Sequence, residues 1–113
     1  MRTDGSCLEG LPFSITVCDA DGIILDMNKK ACETFAKDGG EKLIGKNVLD
    51  CHPETARSKL KEMLKTRLVN CYTTEKNGAK KLVYQTPWYK DDKYMGFVEF
   101  IIELPLDMPN FIR

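Results

Sequence analysis

The residues best suited to chemistry in this sequence are five cysteines and a single histidine. Cys51 and His52 are adjacent, and a thiol near an imidazole is the combination that a cysteine nucleophile and its base would use. Adjacent side chains diverge in a helix and point to opposite faces in a strand, so these two would not form a direct pair. No third group stands at a spacing that would orient the base. We therefore predict that the chain is not an enzyme.

The spacing of the cysteines favours neither a disulfide framework nor a zinc site. They are separated by 11, 14, 19 and 20 residues, and no Cys-x-x-Cys is present. An odd number of cysteines without close pairs predicts a reduced, cytoplasmic protein whose thiols are mostly buried and inert. We predict no metal site, unless His52 binds a haem.

The length and the charge of the chain limit the number of domains and the classes of binding partner. The chain has 113 residues, the length of one domain, and 17 basic residues balance 17 acidic ones. This balance disfavours direct binding of nucleic acid, which usually needs a basic face, and it does not oppose self-association. No run of about 18 apolar residues is present, so we expect no contact with a membrane.

The periodicity of the apolar residues predicts three parts of the chain: a polar leader at 1–10, one domain at 11–104 and an extended arm at 105–113. In the domain, Asp21-Gly22 predicts a hairpin and Asn28 predicts a helix N-cap. Strands are predicted at 13–19, 23–27, 69–75, 81–89 and 94–104, and helices at 29–37 and 54–68. This order predicts an α+β fold, with helices covering one face of a five-stranded antiparallel sheet. In the first strand Phe13, Ile15 and Val17 are expected to form the buried face.

Three stretches of this sequence resemble the PAS family of sensory domains. Asp19, Gly22 and Asn28 match the family's first hairpin and helix cap, and the other stretches are Leu43-Ile-Gly-Lys-Asn47 and Gly96-Phe-Val-Glu-Phe100. The resemblance covers residues 11–104. It implies a five-stranded sheet curled around a cavity that helices roof, and a role in signal transduction, including transcription regulation, with the output carried elsewhere. Some members bind haem, flavin or small metabolites, and others only mediate dimer contacts.

If such a cavity exists, its apolar lining is predicted from the helices and the last two strands. The candidates are Phe35, Cys51, His52, Leu60, Met63, Leu64, Tyr84, Trp88, Val98 and Phe100. Polar candidates depend on strand register, since a shift of one residue exchanges the two faces of a strand. They are Asn47, Thr73, Gln85 and Thr86.

The resemblance raises haem and flavin as cofactors, and neither is assured. Haem-binding members use a histidine on the long helix, whereas His52 precedes that helix. A cap or a bond to nearby backbone is the favoured role for His52. The flavin photosensors carry Asn-Cys-Arg-Phe-Leu-Gln, which Leu49-Asp-Cys-His-Pro-Glu54 does not match, so flavin is not expected.

The last strand has a second face that mixes apolar and acidic residues. Met95, Phe97 and Ile101 on this face are candidates for an interface in a homodimer, or with a signalling partner protein. The leader or the arm could cover the same face instead. Three functions remain open: a sensor whose ligand shifts a dimer interface, a pure interaction domain with a filled core, and a haem-binding sensor that uses His52.

Overall fold

A computed structural model describes residues 5–113. Five strands form one antiparallel sheet in the order β2-β1-β5-β4-β3. The strands are β1 (Ser14–Asp19), β2 (Ile24–Met27), β3 (Asn70–Lys76), β4 (Ala79–Lys90) and β5 (Lys93–Leu104). The helices are α1 (Ser6–Glu9), α2 (Lys29–Thr34) and α3 (Glu54–Thr66), and 3-10 turns lie at Ala36–Asp38, Gly40–Leu43 and Val48–Cys51. The α+β architecture predicted from the sequence is confirmed.

Local side-chain bonds explain the first hairpin. The Oδ1 atom of Asp19 accepts hydrogen bonds from the backbone N–H groups of Asp21 (3.0 Å) and Ile23 (2.9 Å), which folds the turn. Gly22 lies in this turn at φ 91°, and its carbonyl oxygen accepts from the N–H of Val48 at 2.8 Å. A side chain at Gly22 would also meet Asn47, so glycine is required there.

Two clusters of buried residues join the helices to the inner face of the sheet. Ile24 and Met27 of β2 pack with Ala31 and Leu43. Cys18, Met63 and Phe97 form the second cluster, which links β1, α3 and β5. The helical side of the domain therefore lies over one face of the sheet.

The structure reverses the predicted inner face of β5, whereas β1 is buried in part on both faces. Thr16 and Cys18 face the helices with their register partners Glu99 and Phe97. Ile15 and Val17 alternate to the outer face, where Ile15 is nevertheless buried as predicted, at 6% exposure. On β5, Phe100, Ile102 and Leu104 lie on the outer face for the same reason. Alternation in a sequence separates the two faces, but it does not tell which one the helices cover.

The two ends of the chain differ from each other. Residues 1–4 of the predicted leader lie outside the described residues, while Ser6–Glu9 forms a helical turn that was not predicted. This turn is attached to the domain, because the Asn28 side-chain amide donates to the carbonyl oxygen of Leu8 at 2.9 Å. Residues 105–113 contain no regular element, and Ile112 is 95% exposed. From Gly5 onward, no helix combines the length and apolarity needed to cross a bilayer.

Candidate ligand cavity

The space between the inner face of the sheet and the helices holds a cavity of about 340 Å³. This volume lies within the range of small-molecule sites. Most of the lining is apolar. The sheet contributes Thr16, Cys18, Ile24, Met27, Tyr72, Val83, Gln85, Phe97, Val98, Glu99 and Ile101, and the helical side contributes Phe35, Asp38, Leu43, Val48, Cys51, His52, Leu60, Met63 and Leu64.

Seven of the ten predicted pocket residues lie along this cavity. They are Phe35, Cys51, His52, Leu60, Met63, Leu64 and Val98. The structure places Tyr84, Trp88 and Phe100 elsewhere. Tyr84 is 38% exposed, and the ring of Phe100 contacts Phe13 with centroids 6.4 Å apart. These three were misplaced because the inner residues of β4 and β5 are Val83, Gln85, Phe97, Glu99 and Ile101.

Two of the three residues predicted for an interface line the cavity instead. Phe97 is only 7% exposed and packs against Cys18 and Met63. Ile101 follows four residues later on β5 and lies on the same face of the sheet. Met95 is half-buried and does not line the cavity. The outer face of the sheet therefore carries a different set of residues from those expected.

Of the predicted polar residues, only Gln85 reaches the cavity. Thr73 and Thr86 do not line it. Asn47 serves the backbone, since its Oδ1 accepts from the N–H of Leu49 (2.9 Å) and its Nδ2 donates to the carbonyl oxygen of Asp21 (3.1 Å). Thr16 and Glu99 also line the cavity and are not among the predicted residues. With Phe97 on the inner face, alternation along β5 identifies Glu99, and the pairing of β1 with β5 then places Thr16 beside it.

A row of polar side chains crosses the sheet at one register position. The Nδ2 group of Asn70 on β3 donates to Oε1 of Gln85 on β4 at 2.9 Å. The Nε2 group of Gln85 donates in turn to Oε2 of Glu99 on β5 at 2.7 Å. Thr16 on β1 is the next register partner of Glu99, and its Oγ1 atom is buried without a hydrogen-bond partner in the described chain. An acidic group and a free hydroxyl thus lie side by side in the cavity wall.

Burial changes the titration of two groups in this wall. Burial raises the pKa of Glu99, and the hydrogen bond from Gln85 and the charge of His52 lower it by less. Burial also raises the pKa of Cys18, against a lowering by the backbone hydrogen bond from Phe97. A thiol with a raised pKa is a poor nucleophile at neutral pH.

His52 occupies the rim of the cavity. Its ring Nδ1–H donates to the carbonyl oxygen of Val48 at 2.7 Å, the bond to nearby backbone that the sequence analysis favoured. A haem needs an apolar box with an iron ligand above its centre. The part of α3 that lines the cavity instead contributes Leu60, Met63 and Leu64, and the sheet presents Glu99 opposite. The part of α3 that lines the cavity therefore lacks the histidine that the haem-binding members carry on this helix.

Comparisons with known proteins agree on the fold. A sequence model described as the PAS fold matches residues 6–78. The C-terminal domain of a Streptococcus mutans protein has a TM-score of 0.72 at 21% identity, covering 88% of this chain and 81% of that one. A sensory box sensor histidine kinase from Vibrio cholerae has a TM-score of 0.62 at 18% identity, covering 90% of both chains. The Aer2 receptor from Vibrio cholerae, a dual PAS-heme oxygen sensor, has a TM-score of 0.58 at 18% identity, covering 87% of this chain and 99% of that one. No curated protein sequence matches the chain at a significant level.

Proposed function

Because the chain belongs to the PAS-fold family of signalling domains, we propose that it is a sensor that binds a small ligand in its cavity. The cavity of about 340 Å³ is the observation that supports this proposal. A module that served only as a structural interface would gain stability by filling such a space with side chains, since empty volume in a core is destabilising. The proposed activity is binding without catalysis.

The outer face of the sheet supports a second part of the proposal, which is homodimerisation. Register pairs align apolar side chains across β4 and β5: Tyr84 lies opposite Phe100, and Leu82 lies opposite Ile102. On the far side of β5, Ile15 is the partner of Phe100 but is only 6% exposed, so the accessible patch consists of the β4 and β5 residues. A continuous apolar patch on a chain of zero net charge suits a second copy of itself, because no charge repulsion opposes the contact.

The two faces of β5 give this sensor a route from ligand to interface. Ile101 lines the cavity, and its neighbours Phe100 and Ile102 belong to the outer face. A ligand that moves β5 therefore also moves the proposed dimer surface. The ligand shifts the equilibrium between two dimer arrangements only if it binds one of these arrangements more tightly than the other.

Native mass spectrometry with a pair of neighbouring substitutions tests ligand binding. Ile101→Trp adds an indole to the cavity, whereas Ile102→Trp adds it to the outer face. We expect gently purified wild-type protein and Ile102→Trp to carry the same extra mass, and Ile101→Trp to lose it. Bare mass for the wild-type protein, or equal retention by both variants, would contradict binding in the cavity.

Sedimentation velocity tests the dimer. Tyr84→Glu places a charge on the proposed surface, and Glu75→Gln on the exposed strand β3 is the control. We expect Tyr84→Glu to be monomeric at concentrations where the wild-type protein and the control are dimers. A monomeric wild-type protein, or a dimer that Tyr84→Glu leaves intact, would overturn this part of the proposal and leave ligand binding to be judged separately.

A further inference from the structure

The polar row across the sheet leaves one carboxylate short of hydrogen-bond donors. The amide of Gln85 is fixed by Asn70 on one side and Glu99 on the other, so its orientation is set. Gln85 supplies the one hydrogen bond to Glu99 that the described residues provide, and that bond goes to Oε2. An ionised carboxylate has about four acceptor sites. The Oε1 atom of Glu99 is therefore an unused acceptor in the cavity wall.

The charged groups around this acceptor disfavour an anion. Glu99 and Asp38 are the carboxylates that line the cavity, and His52 at the rim is its basic residue. No lysine or arginine lines the cavity in the described part of the chain. Burial raises the pKa of Glu99, and the hydrogen bond from Gln85 and the charge of His52 do not offset this rise. A bound group that donates hydrogen bonds or carries positive charge would supply what the protein does not.

The other residues that line the cavity indicate which kind of ligand body would fit it. On the helical side, Leu60, Met63 and Leu64 face the sheet, and Phe97 and Ile101 flank Glu99 on β5. An apolar surface on both sides of a single acidic group fits a molecule with an apolar body and one polar end.

From this geometry we propose that the cavity selects a small amine or N–H heterocycle with an apolar body, whose N–H group donates to Oε1 of Glu99. This inference rests on the proposed function of the cavity as a ligand site. It goes further by naming the chemical class of the ligand and the residue that selects it. Carboxylate-bearing metabolites of the same size are excluded by the same charges.

Three probes with a common phenyl body test the inference. They are 2-phenylethylamine, which is cationic, ethylbenzene, which has no polar group, and 3-phenylpropionate, which is anionic. Binding is measured by calorimetry and by ligand-detected NMR to wild-type protein, to Glu99→Gln and to Glu103→Gln. Glu99→Gln keeps an oxygen that can accept from Gln85 and removes the charge, and Glu103 is an exposed residue on the same strand.

We expect the amine to bind the wild-type protein more tightly than the anion does. We expect Glu99→Gln to weaken the amine by at least about tenfold, since a hydrogen bond to a charged group is lost, and Glu103→Gln to leave it unchanged. Circular dichroism verifies that both variants are folded. Anion binding that equals amine binding, or an amine affinity that Glu99→Gln does not change, would overturn the inference.

The remaining outcomes distinguish a failure of the amine inference from a failure of the proposal that the cavity binds a ligand. If ethylbenzene binds as tightly as the amine to both the wild-type protein and Glu99→Gln, the cavity is a ligand site but Glu99 does not select. If none of the three probes binds, the amine class is overturned. The mass comparison of Ile101→Trp with Ile102→Trp then decides on its own whether the cavity holds any ligand.

Discussion

The indole N–H of Trp88 on β4 donates a hydrogen bond to the carbonyl oxygen of Cys18 on β1 at 3.3 Å, although β5 lies between these two strands. The residue of β5 that is opposite Trp88 is Gly96, whose register partner on β1 is Asp19. A Cβ atom at Gly96 would overlap the carbonyl oxygen of Cys18 and lie 2.7 Å from Cα of Asp19. The glycine thus allows the close approach that lets the indole reach across a strand.

Gly96→Ala should therefore be strongly destabilising. Gly96 has φ 138°, which L side chains rarely adopt, and its Cβ would meet backbone that cannot rotate away. We expect a loss of about 3 kcal/mol or more in the free energy of unfolding, measured by urea denaturation. Gly45→Ala is the control, because it also has positive φ (93°) but no atom within 4 Å of the added Cβ. Equal losses for the two variants would show that φ alone is responsible.

Asn28 supplies a second test, because its side chain joins three segments. Its Oδ1 accepts from the N–H groups of Ile15 (3.0 Å) and Ala31 (2.9 Å), and its Nδ2 donates to the carbonyl oxygens of Leu8 and Phe13. Asn28→Ala removes the N-cap of α2 and leaves buried backbone groups unpaired. We expect a loss of about 2–4 kcal/mol by chemical denaturation.

Asn28→Asp distinguishes the hydrogen bonds that this side chain accepts from those that it donates. It keeps both acceptor positions but loses the donors to Leu8 and Phe13, and it places a carboxylate at a site that is 5% exposed. We expect Asn28→Asp to be destabilised as well, more at neutral pH than in acid. Stability equal to the wild-type protein in either variant would show that these bonds contribute little.

The turn at Asp19 and the capping of α2 by Asn28 could be predicted from the sequence because they depend on neighbours within a few residues, whereas the bonds of Asn28 to Leu8, Phe13 and Ile15 could not. The turn at Asp21-Gly22 and the cap of α2 need only local hydrogen bonds. The inner face of β5 could not be predicted in this way. Its apolar alternation is stronger on the outer face, at Phe100 and Ile102, because the inner wall includes the polar Glu99. The choice of face is made by long-range packing against α3, which the pattern of one strand does not contain.

Phe97 tests this choice of face directly. The structure packs its ring between Cys18 and Met63, so truncation would enlarge the space beside the cavity. We expect Phe97→Ala to cost about 3–5 kcal/mol, and Tyr84→Ala on the outer face to cost less than about 1 kcal/mol in a protein dilute enough to be monomeric. Denaturation curves at the same low concentration compare the two. A small loss for Phe97→Ala would instead support the exposed position that the sequence pattern predicts for this residue.

The pH dependence of stability should reveal the environment of Glu99. Burial raises its pKa in the folded protein, while the donor Gln85 and the charge of His52 oppose the rise. Asp38 is the other carboxylate of the same cavity. A group whose pKa is higher in the folded than in the unfolded state contributes its full stability below the unfolded pKa. That contribution is lost as the pH rises through the folded pKa, because the buried group must then ionise.

Glu99→Gln removes this titration and keeps an oxygen that can accept from Gln85. We therefore expect the variant to gain stability relative to the wild-type protein as the pH increases from about 4 to about 7, measured by urea denaturation without ligand at each pH. Glu103→Gln, at an exposed position of the same strand, should show a smaller change over this range. A stability difference between Glu99→Gln and the wild-type protein that stays constant with pH, or that moves in the opposite direction, would mean that Glu99 is well solvated or has a cationic partner.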